Sequence, residues 1–154
     1  MSDNYLMRLY KRLQKYPMGN RLFSFVACRK APYFATIKPL ITQLAPGECH
    51  CFIKKRRSVE NHIKTVHVIA ICNGLEMAMG FMAEASIPKH LRWIPKGMTV
   101  DYTAKAGSDI RCEAVLPNNH WQVGDLPVAV TAYDENDVVV VKGTINLWVS
   151  EKKK

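Results

Sequence analysis

The sequence predicts an α+β domain in which a curved antiparallel sheet wraps around one central buried helix, with extra helices at the N-terminus. Three observations predict it. The stretch from Val66 to Ala85 is apolar on every side and too long for a strand, which makes it a buried helix. Four strand-like segments follow it with no helical pattern between them, which favours antiparallel pairing over a βαβ design. Two further strand candidates precede it, joined by the turn Pro46-Gly47-Glu48.

The elements follow in order. Tyr5, Leu6, Leu9 and Leu13 recur at helical spacing, with Ser2 or Asp3 as candidate caps, and Tyr16-Pro17 ends that helix. A second short helix is expected from Asn20 to Cys28, closed by Pro32. Phe34–Leu44 contains Pro39 and is expected as an edge or irregular strand. Its partner is expected from Cys49 to Arg57, with Cys49, Cys51 and Ile53 on one face. After the helix, strands are expected near Met98–Ala104, Ile110–Leu116, Leu126–Tyr133 and Val138–Val149. Ile110, Cys112 and Ala114 alternate with Arg111 and Glu113, the pattern of a half-exposed antiparallel strand. Asp134-Glu135-Asn136-Asp137 reads as a hairpin loop, and Gly143 marks a bulge or bend. The chain is divided accordingly into a helical extension (1–33), a core (34–150) and a basic tail (151–154) of one domain.

The 154 residues suffice for one core, and 48% apolar with 23% charged is ordinary for a globular chain. The longest apolar run, Val66 to Ala83, is broken by Asn73, Gly74 and Glu76 and is not expected to span a bilayer. Ser2-Asp3-Asn4 is no signal-peptide start, so the cytoplasm is the expected compartment. The five cysteines (28, 49, 51, 72 and 112) have no framework spacing and are expected as free thiols. A net charge of +9 attracts polyanions: nucleic acid, an anionic membrane or a phosphorylated small ligand. Charge alone does not choose among them. No metal or cofactor is expected. Cys49-His50-Cys51 places its histidine opposite the two cysteines on a strand, with no further ligand motif nearby. The basic run Lys54-Lys55-Arg56-Arg57 has only Phe52 close by, too few aromatics for a nucleic-acid surface. The methionines at 77, 79 and 82 read as packing material, which would also suit a flexible apolar tunnel.

Asn61, His67 and Glu76 stand apart. Asn61 precedes the central helix, His67 opens it, and Glu76 falls in its middle among methionines and small residues. A carboxylate buried there is expected to have a raised pKa, which suits general base work near neutral pH. Each has a structural reading too: Glu76 as a satisfied buried acid, His67 as a helix cap, Asn61 as a turn residue. Asn73, one turn before Glu76, either orients that carboxylate, contacts a substrate carbonyl or serves as a core amide.

The segment from Asn61 through His67 to Glu76 resembles the active-site segment of the hotdog-fold acyl-CoA thioesterases, in particular the phenylacetate-pathway type. That family has an Asn before the helix, a His-Gly-Gly at its start and an Asp or Glu part-way along, at these separations. The likeness in element order runs from Phe34 to Val149, and Pro95-Lys96-Gly97-Met98 to Tyr102 looks like a little-characterised branch. The resemblance implies a homodimer or dimer of dimers that hydrolyses an acyl-CoA or acyl-carrier thioester. In it, Glu76 acts as base or nucleophile and the Val68 N–H binds the oxyanion. Asn61 orients the water or the carboxylate across a subunit interface, and Lys54, Arg56, Arg57 and Lys105 meet the coenzyme A phosphates. One departure matters: Val68 and Ile69 replace the two glycines, narrowing the approach to the backbone. A non-catalytic acyl-CoA binding protein and a basic nucleic-acid-binding module are the competing functions. A hydroxyacyl thioester dehydratase would need a hydratase motif that is not seen.

Overall fold

The computed structural model describes residues 4–153. Helices α1 (Tyr5–Leu13) and α2 (Gly19–Lys30) come first, then a 3-10 helix over Pro32–Ile37, then strands β1 (Leu40–Ala45) and β2 (Glu48–Ile53). Helix α3 (Val68–Ser86) follows, and β3 (Leu91–Tyr102), β4 (Ile110–Val115), β5 (Gly124–Tyr133) and β6 (Val139–Glu151) complete the chain. The six strands form one antiparallel sheet in the order β1-β2-β4-β5-β6-β3. Helix α3 packs on its inner face, chiefly against β4 and β2.

The alternation expected for β2 and β4 sets that packing. Cys49, Cys51 and Ile53 are fully buried beneath α3, as are Ile110, Cys112 and Ala114 on β4. Leu75, Met77, Ala78, Met79 and Met82 of α3 meet them with no exposed surface. Gly74 sits at a close approach of helix and sheet: a Cβ there would lie 2.6 Å from Ile53 Cδ1 and 2.8 Å from Cys112 Sγ. All five cysteines are free, and burial pushes the thiols of Cys49, Cys51 and Cys112 well up. By length and composition α3 would suit a bilayer, contrary to the expectation from its interruptions. Here the sheet covers one side of it, with 56% of its most apolar window buried.

Several boundaries differ from expectation. The first strand begins at Leu40 instead of Phe34, because Pro32 initiates a 3-10 helix that Lys38 ends in the left-handed region (φ 46°). The third begins at Leu91, before Pro95. It lies at the sheet edge and pairs only with β6, so a residue without an N–H is tolerated, at a register shift between Pro95 and Gly97. Gly143 carries no bulge. It is a point of close approach between β6 and β3, where a Cβ would lie 2.0 Å from the Thr99 carbonyl oxygen. The caps proposed at Ser2 and Asp3 lie outside the described residues; Asn4 caps α1 by accepting from the Met7 N–H at 2.9 Å. The tail is shorter than expected, since β6 runs to Glu151 and the Lys152 N–H donates to the His90 carbonyl at 2.8 Å.

The N-terminal helices pack along the β1 side of the fold. Tyr10, Phe23 and Phe81 form an edge-to-face series linking α1, α2 and α3. Ser24 Oγ accepts from the Ile41 N–H at 2.8 Å, tying α2 to β1.

Candidate active site

Helix α3 starts where a short bridge, Glu60 to Val66, closes the loop that carries Asn61. The loop is organised by Asn61 itself. Its Oδ1 accepts from the N–H groups of Ile63 and Thr65, each at 3.1 Å, and its Nδ2 donates to Thr65 Oγ1 at 2.8 Å. These bonds hold Lys64 in the left-handed region (φ 59°). They leave one Nδ2 hydrogen of Asn61 for another partner.

His67 is the N-cap of α3. Its Nδ1 accepts from the Ile69 N–H at 3.1 Å, so in the neutral ring the proton sits on Nε2. Its own N–H donates to the Val59 carbonyl at 2.7 Å, and its carbonyl accepts from Ala70 and Ile71. The first-turn donors are thereby accounted for, except one. The Val68 N–H has no acceptor among the described residues. An open N–H at the first position of a nineteen-residue helix is a site for developing negative charge.

That helix start opens on a cleft of about 530 Å³. Asn61, Thr65, His67 and Val68 line one side, and Tyr102 at the end of β3, with Thr103 and Lys105 just beyond it, lines the other. A second pocket, of about 380 Å³, adjoins it across His67 and includes Thr36, Glu60, Ile69 and Asn73. Both fall in the size range of small-molecule sites. Tyr102, Thr103 and Thr65 are among the lining residues that the sequence does not single out. Only the pairing of β3 with β6 brings Tyr102 and Thr103 beside the helix start, and no local pattern announces that.

Glu76 is elsewhere. It stands nine residues after His67, about 13.5 Å further along the helix axis, and lines neither pocket. Its side chain is exposed, in contrast to the expected burial, so the desolvation anticipated for it is not present. The reason is that α3 is not enclosed all round. Ile69, Glu76 and Glu84 mark an outward stripe, with Ile69 57% exposed. One copy of the chain brings Asn61, His67 and Val68 together and leaves Glu76 apart.

Asn73 does not bond Glu76. Its Nδ2 donates to Thr36 Oγ1 at 3.2 Å, while the Thr36 hydroxyl donates to the Tyr33 carbonyl at 2.8 Å. That chain of donors fixes the orientation of the amide, and its Oδ1 is left buried without a partner. Among the basic residues, Lys105 alone lines the cleft beside His67. Arg56 is engaged internally, donating to the carbonyls of Thr36 and Ile37 at 3.0 Å and of Lys54 at 3.3 Å. Arg57 is exposed at the start of a short 3-10 helix, and Lys54 lies on the outer side of the sheet. No cluster of histidine, cysteine or carboxylate groups suited to a metal occurs among the described residues.

A helix laid against one face of a six-stranded antiparallel sheet in this order defines a hotdog-fold protein. Solved structures share that fold. PA5026 from Pseudomonas aeruginosa, named a protein of unknown function and probable thioesterase, is 20% identical with a TM-score of 0.77, over 89% of this chain and 97% of its own. A thioesterase family protein from Silicibacter pomeroyi is 16% identical with a TM-score of 0.71, over 84% and 96%. A nearer likeness is the protein solved as genomics APC5556, 41% identical with a TM-score of 0.86, over 97% of this chain and 100% of its own. No curated protein matches the sequence. The model of the DUF4442 family, a domain of unknown function, matches residues 19–149, and the chain belongs to that family.

Proposed function

We propose that this protein hydrolyses an acyl thioester, carried on coenzyme A or an acyl carrier. The observation that carries the reading is the unpartnered Val68 N–H at the start of α3, opening on a cleft. A donor so placed would stabilise the oxyanion formed when water adds to the thioester carbonyl. The C–S bond then breaks, releasing a thiol and a carboxylic acid. The nucleophilic water needs a base, and the assigned base is Glu76.

Because Glu76 is about 12 Å along the axis from Val68 at the start of its own helix, the carboxylate serving one Val68 would come from a second copy. The exposed stripe of α3 and the open edge of β3 support such a homodimer. Asn61 would position the water through its remaining Nδ2 hydrogen, and Lys105 at the cleft mouth would meet the substrate's phosphates. A second reading, binding without turnover, is favoured by one observation: β-branched Val68 carries the donor and β-branched Ile69 follows it.

Thiol release from acyl-CoA esters of graded chain length, with Glu76→Gln alongside, tests the reading. Turnover falling roughly 10²-fold or more in the variant is expected. Undiminished turnover removes Glu76 from the mechanism. Absent turnover with saturable acyl-CoA binding selects the second reading.

A further inference from the structure

On the other side of the sheet lies a trough of about 400 Å³ that shares no lining residue with the pockets beside His67. One face of α2, presenting Arg21, Phe25 and Cys28 at helical spacing, forms one wall. The opposite wall is the outer surface of β1–β2. There Leu40 pairs with Phe52, and Phe52 and Lys54 point away from the buried Cys51 and Ile53. Lys38 and Pro39 close the end.

Two features decide what such a site would hold. The first is charge. Arg21, Lys38 and Lys54 are all exposed, none has an ion pair among the described residues, and no carboxylate lines the trough. Elsewhere Lys55, Lys96 and Arg111 each have an acidic partner. The second is the absence of a hydrogen-bonding pattern. The one hydroxyl, Ser24 Oγ, already donates to the Asn20 carbonyl at 2.7 Å and accepts from the Ile41 N–H. The rest of the wall is hydrocarbon, aromatic ring and the Cys28 thiol. A sugar, base or peptide would find its donors and acceptors unmatched here, at a cost for each. A ligand whose polarity is confined to one anionic end would not.

We propose that this trough binds a single-chain amphiphilic anion. The hydrocarbon lies against Phe25, Leu40 and Phe52, and the terminal oxyanion, carboxylate or phosphate, sits among Arg21, Lys38 and Lys54. Phe25, 61% exposed, gains cover from the hydrocarbon. This inference does not depend on the thioesterase reading, since it concerns a separate face and requires no turnover.

Cys28 reports occupancy. It is half-buried on the wall, and Cys72 of α3, also half-buried and outside the trough, is an internal reference. The full-length protein is labelled with a maleimide in the presence of dodecanoate or dodecyl phosphate below their micellar concentrations, or of dodecanol below its solubility limit, and the two thiols are followed by peptide mass spectrometry. Saturating anion should slow Cys28 labelling about threefold or more without slowing Cys72. Protection by one head group alone identifies the source of the anion. Dodecanol should not protect, and Arg21→Glu/Lys38→Glu should weaken anion binding roughly tenfold. Isothermal titration of both proteins with dodecanoate and dodecyl phosphate repeats the comparison without the thiol. Three results overturn the proposal: no protection with either anion, equal slowing at Cys72, or protection that survives charge reversal. Cys28 labelling that slows with protein concentration alone would overturn it too, by showing a second copy in the trough.

Discussion

Replacing Val68 by proline removes one N–H from the start of α3 with little other disturbance. Proline is well suited to the first helical position, where no intrahelical bond is lost. The preceding residue must then be extended, and His67 already is, with φ −63° and ψ 132°. The cap bond from the Ile69 N–H to His67 is untouched. The half-buried valine side chain loses some packing, roughly 1 kcal/mol, which a thermal melt would register as a small shift. Loss of an oxyanion donor costs about 10²–10³ in kcat, or ~2.7–4 kcal/mol of transition-state stabilisation. Val68→Pro should therefore fold and bind acyl-CoA but release thiol at one hundredth of the wild-type rate or less. Val68→Ala, which keeps the N–H, should retain most of the rate. The assay is thiol release with kcat and KM resolved, beside the melts. A folded Val68→Pro protein with kcat near wild type would refute the assignment. So would an equal loss in Val68→Ala, since the side chain rather than the N–H would then be responsible.

Two other predictions follow from the same structure. If Glu76 of one copy serves Val68 of another, mixing Val68→Pro and Glu76→Gln proteins under subunit exchange regenerates one intact site in each mixed dimer. About one quarter of wild-type activity should return, and no recovery would place the whole site within one copy. The buried thiols of Cys49, Cys51 and Cys112 are raised by desolvation above their ordinary 9.0, so they favour the folded state below that pH, and the advantage fades as pH rises. Stability should fall from about pH 9 upward, by up to about 1.4 kcal/mol per pH unit for each thiol. Melts from pH 8 to 11 should show a shallower fall for Cys112→Ala, and an unchanged slope would count against the thiols.

The order of elements was readable because period and length are local properties. The all-round apolar run at 66–85 and the alternation at 110–114 needed no tertiary information. Pro95 misled because its tolerance depends on lying at an edge, and edge position is fixed by a pairing with β6 remote in sequence. The outward face of α3 was hidden for a similar reason. Cys72 and Gly80 on that face look like core residues, so nothing in the run says which side stays open, and Glu76 was read as buried. Asn61 and His67 were visible as types and spacing. Their hydrogen bonds were not, and neither was the single donor that those bonds leave unused at Val68.

The contact at Gly74 has a mechanical consequence. Gly74 lies between Val68 and Glu76, where α3 sits too low on β2 and β4 to leave room for a side chain. The Asn61 loop is anchored separately, through the Glu60–Val66 bridge and the bond from the Val66 N–H to the Ala106 carbonyl. A side chain at 74 would act as a shim beneath a beam, lifting the helix while its neighbouring loop stayed put. The alignment of Val68 with Asn61 is thus set by how deeply one helix is seated, at a residue that touches neither.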